Sequence, residues 1–175
     1  MKLEIVPELQ LREGQEQEIA DLLQRCFSTD FGGASFYTQR HHLRILARKD
    51  DLLVGHMGLL NRAVRVDGRL VNIAGLAEVA TDAEYRGQGI ASQMLNAAIG
   101  CAKQTDAAFF LLFGTAGLYA AHGFTAVKNP VLCVTMDGAR TGQIERQTTH
   151  SLMVLPLTDA PWDVAAEIDL LGGKF

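Results

Sequence analysis

The segment from Glu84 to Ala91, Glu-Tyr-Arg-Gly-Gln-Gly-Ile-Ala, combines residue types and a spacing that suit the binding of an anion. An apolar run from Val71 to Ala80 precedes it, and a helical pattern follows it to about Gln104. Glycines in a turn between a strand and a helix allow positive φ angles and a close approach to the backbone. The N–H groups of the helix's first turn then point at the anion, with the positive end of the helix dipole behind them. The segment therefore predicts a site for a phosphate-bearing cofactor.

The neighbouring segments predict a hairpin before this site and a crossover after it. Asp67-Gly68 lies between alternating strands, and this pair is typical of a type I′ turn, in which both central residues have positive φ. The second arm of the hairpin continues to about Thr81. Ala107 to Phe113 is apolar on both faces, which indicates a central strand covered on each side. The order strand, helix, strand predicts one parallel pair in a sheet that is otherwise antiparallel.

The other segments carry weaker patterns. Leu3 begins an edge strand that Pro7 shortens, and Glu16 to Phe27 has the spacing of a helix with one buried face. His41 to Arg48 fits either a strand or a helix. The remaining expected elements are a loop over 28–35, a strand over 52–60, a short helix ended by Gly123, a strand over 131–136, a polar excursion over 137–149 and a strand over 152–157.

Length, charge and cysteine content limit the possible function classes. With 175 residues, one domain over 1–175 is expected. The formal net charge is −4 and no run of Lys or Arg exists, which argues against a nucleic acid partner. The N-terminus lacks an apolar signal core and the run Ala107 to Phe113 is too short for a span, so we expect a cytoplasmic protein with no membrane partner. The three cysteines are odd in number and lack CxxC spacing, which favours reduced core residues and no metal site.

The chain does not match two common phosphate-binding motifs, because each requires a residue that is absent here. A dinucleotide fingerprint needs a third glycine where this chain has Ser92, and it should follow the first strand rather than lie mid-chain. A P-loop needs a lysine after its second glycine, but Ile90 follows Gly89. The pattern R/Q-x-x-G-x-G/A is met instead, by Arg86, Gly89 and Ala91.

Together with the strand that ends at Thr81 and the segment Leu118 to Phe124, this pattern resembles the GNAT N-acetyltransferase superfamily over about residues 15 to 135. The segment Leu118 to Phe124 is similar to the superfamily's Φ-Tyr-x-x-x-Gly-Phe/Trp stretch. A looser resemblance points to the aminoglycoside 2′-N-acetyltransferase and nodulation N-acyltransferase branch, through Gly55 to Leu60, Met153 to Leu157 and Ala166 to Ile168. The chain departs from the aminoglycoside pattern because its acidic strand residue is one position off and its last residues lack the acidic residues and the terminal tryptophan.

The resemblance implies a fold, an activity and a cofactor. The fold is α/β (α+β): a central, mixed, mostly antiparallel sheet with one splayed parallel pair and helices on both faces. The activity is direct transfer of an acetyl or other acyl group from acyl-coenzyme A (acyl-CoA) to a primary amine of a small molecule or peptide in a ternary complex. The cofactor is acetyl-CoA or another acyl-CoA, with no metal. A non-catalytic acyl-CoA sensor of the same fold is the alternative.

The resemblance also assigns roles to residues. The general acid for the leaving thiolate is Tyr119, and Glu78 is the leading base because it is the one carboxylate on an otherwise apolar strand beside the turn. A solvent-facing or arginine-paired Glu78, a core-edge Tyr119, and His56 or His122 as base remain alternatives. The cofactor-binding residues are Val79, Ala80 and Thr81 for the thioester oxygen, and Arg86, Gly87, Gln88, Gly89, Ile90 and Ala91 for the pyrophosphate.

The acceptor side rests on the branch resemblance alone. Asp30 and Phe31 lie in a glycine-bearing loop that is expected to border the substrate, and Asp30 and the C-terminal carboxylate of Phe175 are expected to bind a cationic amine. The sequence does not identify that amine. Strand edges near the C-terminus favour a homodimer.

Overall fold

The fold is described from a computed structural model, which covers residues 1–115, 117–137 and 140–175. The chain forms two compact units: the first unit comprises residues 1–60 and 76–101, and the second unit comprises 61–75 and 102–175. In chain order the elements are β1 Lys2–Pro7, α1 Glu13–Cys26, β2 Leu43–Lys49, β3 Leu52–Val66, β4 Arg69–Thr81, α2 Ile90–Ala102, β5 Phe109–Phe113, α3 Gly117–Ala121, β6 Thr125–Ala126, β7 Pro130–Asp137, β8 Arg140–Thr148, β9 Leu152–Pro156 and β10 Ile168–Asp169. Short 3₁₀ turns occupy Glu8–Gln10 and Ala83–Tyr85.

The first unit places α1 on strands of the N-terminal sheet. β1 pairs antiparallel with β2, and β2 pairs antiparallel with β3. β1 ends at Pro7, which confirms the expected short edge strand, since proline has no N–H to continue the ladder. The apolar face of α1 packs into a cluster with residues of the strands: Ile19, Leu22, Leu23, Phe31, Leu46, Leu53 and Ala80. Glu13 and Glu16 lie in the first turn of α1, where acidic side chains stabilise a helix.

The second unit contains the hairpin and the C-terminal strands. Asp67 and Gly68 have φ angles of 45° and 77°, which confirms the expected hairpin turn. Ten strands belong to one sheet, in which eight follow the order β6, β9, β5, β4, β3, β10, β7, β8, while β2 pairs with β3 and β1 pairs with β2. The core of the second unit is an apolar cluster of residues from the strands and the segments beside them: Val64, Val66, Ile73, Phe109, Leu111, Val127, Val131, Cys133, Leu152, Val154, Ala166, Ile168 and Leu170.

The observed sheet differs from the predicted one at two places, and it decides the assignment of a third segment. β10 pairs parallel with β7 and antiparallel with β3, whereas the rest of the sheet was expected to be antiparallel. Because β10 has only two residues, it shows no hydrophobic alternation from which a strand could be predicted. The expected polar excursion over 137–149 contains β8, an edge strand exposed along almost its whole length, so it lacks the alternation that marks a half-buried strand. The ambiguous segment 41–48 contains strand β2.

The mixed α/β architecture confirms the predicted fold class. Sheet strands of both directions and few helices are present in the described chain. No helix of the described residues combines the length and apolar character needed to cross a bilayer. The single domain over 1–175 stays a prediction, although β3 and β4 run through both units.

Candidate functional site

The turn before α2 has the backbone geometry of an anion cradle. Gly87 and Gly89 have φ angles of 76° and 75°, a region that favours glycine. A Cβ built at either position meets no heavy atom within 4 Å, so space lies open beside the backbone. The Gly89 carbonyl accepts from Gln93 N at 3.1 Å and so begins the helix. No acidic side chain occupies the first turn of α2, so no negative side chain there opposes the helix dipole's attraction for an anion.

Side chains on both flanks fix the cradle to the first unit. Arg86 Nε donates to the Thr81 carbonyl at 3.1 Å, so its guanidinium holds the turn against the end of β4. Asp82 accepts from Glu84 N at 3.2 Å and caps the 3₁₀ turn. Lys49 Nζ lies 3.4 Å from Gln88 Oε1 and adds a cation beside the turn. The cradle is therefore built mainly by backbone amides, with the cations Arg86 and Lys49 beside them.

Glu78 has an unusual backbone conformation within β4. Its φ is +50°, and of the described non-glycine residues with positive φ it is the one that lies inside a strand. Such a conformation costs on the order of 1–3 kcal/mol and persists where the surroundings impose it. Strained residues concentrate at functional sites, so the conformation makes Glu78 a candidate functional residue.

The Glu78 carboxylate enters a polar cluster of the first unit. Oε1 accepts from Tyr37 N at 2.8 Å, while Oε2 lies 3.4 Å from His41 Nε2 and 3.7 Å from Arg44 Nη1. Oε2 is buried and lacks a hydrogen-bond partner among the residues that the structure describes. Burial raises the pKa of Glu78 from 4.5 to about 7, against the opposing effects of the Tyr37 N–H and the Arg44 charge. A carboxylate with this pKa and a spare oxygen suits a general base near neutral pH.

Arg44 anchors this cluster. Its side chain is 0% exposed and binds Glu8 through two hydrogen bonds, at 2.7 and 3.1 Å. Nη1 also donates to the Ser35 carbonyl at 2.7 Å and to His56 Nε2 at 3.1 Å. Burial raises the pKa of Glu8, but the hydrogen bonds and charge of Arg44, with those of Arg40, lower it further, so the net shift is downward. Glu8 is therefore ionised and compensates the buried guanidinium.

Two neutral histidines complete the cluster. Burial and the Arg44 charge lower the pKa of His41 to about 2 and that of His56 to about 3. The His41 ring needs Gly58, since a Cβ there would lie 1.8 Å from His41 Cδ2. His56 Nδ1 lies 2.9 Å from the Glu78 carbonyl, so both of its ring nitrogens are engaged. Neither histidine is suited to take up a proton near neutral pH.

Tyr119 lies in α3 of the second unit. The residue is 8% exposed, and burial raises the pKa of its hydroxyl above 10, so the phenol is protonated at neutral pH. A Cβ at Gly114 would lie 2.7 Å from Tyr119 Cε2, so glycine makes room for the ring. Gly123, with φ 88°, follows the helix, and Phe124 N donates to the Tyr119 carbonyl. The helix end thus fixes the backbone of Tyr119.

The sequence matches the family model described as acetyltransferase (GNAT) domain over residues 10–127. The chain belongs to the GNAT acetyltransferase family. The match spans α1, the cradle and α3, which are the elements described above. The specific branch of the family is not distinguished by this match.

Solved structures of GNAT proteins share the fold. A GNAT family N-acetyltransferase from Escherichia coli in complex with CoA has a TM-score of 0.66 and 20% identity, covering 96% of this chain and 88% of that one. A GNAT family acetyltransferase from Brucella melitensis in complex with acetyl-CoA has a TM-score of 0.64 and 17% identity, covering 95% and 94%. The ribosomal-protein-S18-alanine N-acetyltransferase from Escherichia coli has a TM-score of 0.60 and 20% identity, covering 91% and 97%. No curated protein matches the sequence.

The predicted acceptor residues of this GNAT chain fall in different surroundings. Asp30 is exposed and accepts from Gly32 N at 2.7 Å, so its carboxylate closes its own turn. Phe31 is 8% exposed and packs in the first unit's core, edge-to-face with Tyr37. Phe175 packs at the second unit's core, 5.5 Å from the ring of Phe113. The assignment of these residues to an amine stays a prediction.

The structure groups the predicted residues by unit. Glu78, Asp30, Phe31, the strand residues 79–81 and the cradle 86–91 belong to the first unit, and Tyr119 and Phe175 belong to the second. The groups that sequence reasoning missed are Arg44, His41 and the Tyr37 amide. One signal was available for Arg44, a lone charge inside the apolar run Leu43 to Ala47. Among the described residues, no group of three or more His, Cys, Asp or Glu side chains is arranged to hold a metal ion.

Proposed function

We propose that this chain is an N-acyltransferase that moves an acetyl or other acyl group from acyl-CoA directly to a primary amine of a small molecule or peptide. The observation that carries the proposal is Glu78, whose buried carboxyl has a pKa of about 7 and one oxygen without a described partner. Membership of the GNAT family supports acyl transfer in general. Glu78 supplies what this chain itself needs for catalysis, a base that is half ionised near neutral pH.

The residues of the cradle fit a pyrophosphate. Open space beside Gly87 and Gly89, the start of α2 and the absence of acid in its first turn all suit a phosphate group. The backbone from Arg86 to Ala91 would hold the pyrophosphate of CoA, and amides of Val79, Ala80 and Thr81 would hydrogen-bond the thioester oxygen. When bound, acyl-CoA supplies an activated acyl group and a thiol leaving group.

Two side chains of this protein move the protons. An ammonium has no lone pair, so Glu78 removes a proton from the amine, directly or through one water. The reaction then requires the ionised form of Glu78, and the rate rises with pH through about 7. Tyr119, kept protonated by its raised pKa, donates its hydroxyl proton to the leaving sulfur.

The acceptor is proposed as a primary amine, with Asp30, Phe31 and Phe175 as the candidate binding residues. One structural relative is named for an alanine of a ribosomal protein, which makes peptide N-termini a class to test beside amino sugars and small amines. Asp30 offers an exposed carboxylate to a cation.

Ligand-induced stabilisation followed by thiol release tests the proposal. The melting temperature is measured with acetyl-CoA, free CoA and ATP, and free thiol is then assayed with amino sugars, small amines and peptides. Stabilisation by the CoA compounds and thiol release with at least one amine class are expected. Stabilisation without release from any amine would indicate an acyl-CoA sensor, and no shift with any acyl-CoA would overturn the cofactor assignment.

Gly89→Ala is expected to weaken CoA binding by about tenfold, because alanine at φ 75° costs about 1–2 kcal/mol and the turn shifts to relieve it. Isothermal titration with CoA measures the change. Gly100→Ala is the matched control on the same helix: its Cβ also meets nothing within 4 Å, and no positive φ is involved. It should leave CoA affinity unchanged and stabilise α2 by up to about 1 kcal/mol. Equal effects from both substitutions would contradict a role for the cradle conformation.

Tyr119→Phe is expected to lower kcat by about 10²-fold while the KM for acyl-CoA stays within about twofold, because the ring and its packing remain and the transferable proton is lost. Steady-state kinetics from pH 6 to 9 measure both constants. Tyr85→Phe, which removes a hydroxyl from a tyrosine beside the cradle, is the control and should match the parent enzyme. Full turnover by Tyr119→Phe at every pH would exclude the general-acid role.

A further inference from the structure

We infer that His56 is a positioning residue that holds Glu78 in the left-handed backbone conformation presenting its carboxylate, and that Arg44 fixes the proton of His56 for this task. The inference rests on the proposed role of Glu78 as the base. His56 comes from β3 and Arg44 from β2, so the positioning groups lie on strands rather than on a loop. Strands hold such groups with little freedom.

The ring proton of His56 follows from its two partners. A guanidinium can only donate, so His56 Nε2 accepts from Arg44 Nη1 at 3.1 Å. The ring is neutral, as its lowered pKa of about 3 requires, so its one proton is on Nδ1. Nδ1–H then donates to the Glu78 carbonyl at 2.9 Å. Arg44 therefore selects the tautomer that can hold Glu78.

The bond from His56 acts on the strained residue itself. Glu78 has a φ of +50°, and its own carbonyl is the atom that His56 holds. His56 is 0% exposed, so no solvent molecule competes for this hydrogen bond. In an extended strand, consecutive side chains alternate between faces. A left-handed residue departs from that alternation, and this departure gives the Glu78 carboxylate its place beside Tyr37 N and His41.

Arg44 can perform this selection because it is itself immobile. Glu8 binds it with two hydrogen bonds and Ser35 provides a backbone carbonyl at 2.7 Å. Arg44 has 0% side-chain exposure, and Glu8 has 9%. A buried, forked guanidinium with these partners has one orientation.

The groups that face Glu78 come from every element around it. The loop before β2 contributes the Tyr37 N–H and neutral His41, β2 contributes Arg44 and β3 contributes neutral His56. Glu8, from the turn after β1, adds a more distant negative charge. Among the described groups, the cation within 4 Å of the carboxylate is Arg44, so the histidines position Glu78 without charging its surroundings.

His56→Asn and His56→Gln test the two hydrogen bonds of the His56 ring one at a time. The amide of His56→Asn reaches the position of Nδ1 and keeps a donor to the Glu78 carbonyl, whereas that of His56→Gln reaches the position of Nε2 and keeps the partner of Arg44 alone. We expect Asn to retain kcat within about threefold and Gln to lower it by about tenfold or more, with KM for acyl-CoA unchanged in both. Equal kcat values in the two variants would overturn the inference.

A second readout does not depend on activity. The carboxyl carbon of Glu78, labelled with ¹³C and assigned by its loss in Glu78→Gln, reports the titration of this group in each protein. We expect the midpoint near pH 7 in the parent protein and in His56→Asn, and a fall of about one unit or more in His56→Gln as Glu78 relaxes toward solvent. An unchanged midpoint in His56→Gln would overturn the inference even if kcat fell.

The parent protein alone provides the last check. Long-range ¹H–¹⁵N spectra of His56 should show a proton on Nδ1 and none on Nε2 from pH 6 to 9; the opposite tautomer overturns the inference whether or not the variants fold. Failure of the proposed function is distinct, since the parent protein would then release no thiol with any amine. The Glu78 titration and the His56 tautomer would still be measurable in that case.

Discussion

Glu78→Gln is expected to lower kcat/KM for acyl transfer by about 10²–10⁴-fold at pH 8, the range typical of a lost general base. Glutamine fills the same space and still accepts from Tyr37 N, so binding of acyl-CoA should be unaffected. The parent enzyme should show a rise in kcat/KM centred near pH 7, where Glu78 ionises, and the variant should lack this rise. Rate measurements between pH 5.5 and 9 with one amine of high pKa provide the comparison.

The same substitution is expected to stabilise the protein above neutral pH. The folded pKa of Glu78 lies above its ordinary value, so the stability that this group contributes is fully present below about pH 4.5 and is lost as pH rises through about 7. Removing the charge should therefore raise the free energy of unfolding at pH 8 by on the order of 1–3 kcal/mol, with a smaller gain at pH 5. Urea unfolding at both pH values measures this difference.

A gain in stability with a loss of rate identifies a functional carboxylate rather than a structural one. Glu84→Gln is the matched control, because Glu84 is an exposed acid in the turn that leads to the cradle. Glu84→Gln should change kcat/KM by no more than about twofold at any pH in the range. An unchanged pH dependence of kcat/KM in Glu78→Gln would show that Glu78 is not the base and that another group takes the proton.

The conformation of the turn at Gly87 and Gly89 was predictable because its signal is local. Glycines at fixed spacing, an apolar strand before them and a helical pattern after them lie within one continuous stretch, and the structure gives Gly87 and Gly89 the positive φ that this pattern requires. The hairpin at Asp67-Gly68 was predictable for the same reason. The conformation of a tight turn depends on residues adjacent in the sequence, so the sequence alone predicts it.

The surroundings of Glu78 were not predictable because they are assembled from distant segments. Glu8, Ser35, Arg44 and His56 are separated by loops and strands whose pairing no short pattern specifies. Strand alternation also fails as a guide at Glu78, since it assumes extended backbone and this residue has a φ of +50°. The sequence thus indicated a carboxylate on the strand, while its burial and its raised pKa depend on tertiary structure.

Arg44→Met is expected to lower the free energy of unfolding by about 3–5 kcal/mol, because it removes one partner of a buried ion pair. The substitution leaves Glu8 Oε2, the Ser35 carbonyl and His56 Nε2 without the Arg44 donors that now bind them. Arg40 also binds Glu8, at 3.1 Å, but its side chain is 49% exposed. Arg40→Met is therefore the matched control and should cost less than about 1 kcal/mol. Urea unfolding at pH 7 measures both variants.

A double variant separates the ion pair from the packing of Arg44. Glu8→Leu combined with Arg44→Met removes both buried charges, so its loss of stability should be smaller than the sum of the two single losses. The stability that the double variant still loses reflects the hydrogen bonds from Arg44 to Ser35 and His56, which no replacement of Glu8 can restore. Strict additivity would show that Glu8 and Arg44 are not coupled, and an Arg44→Met loss no larger than that of Arg40→Met would show that the buried guanidinium does not anchor the cluster. Coupling would show that Arg44, which is inferred to orient His56 beside Glu78, also stabilises the first unit through its ion pair with Glu8.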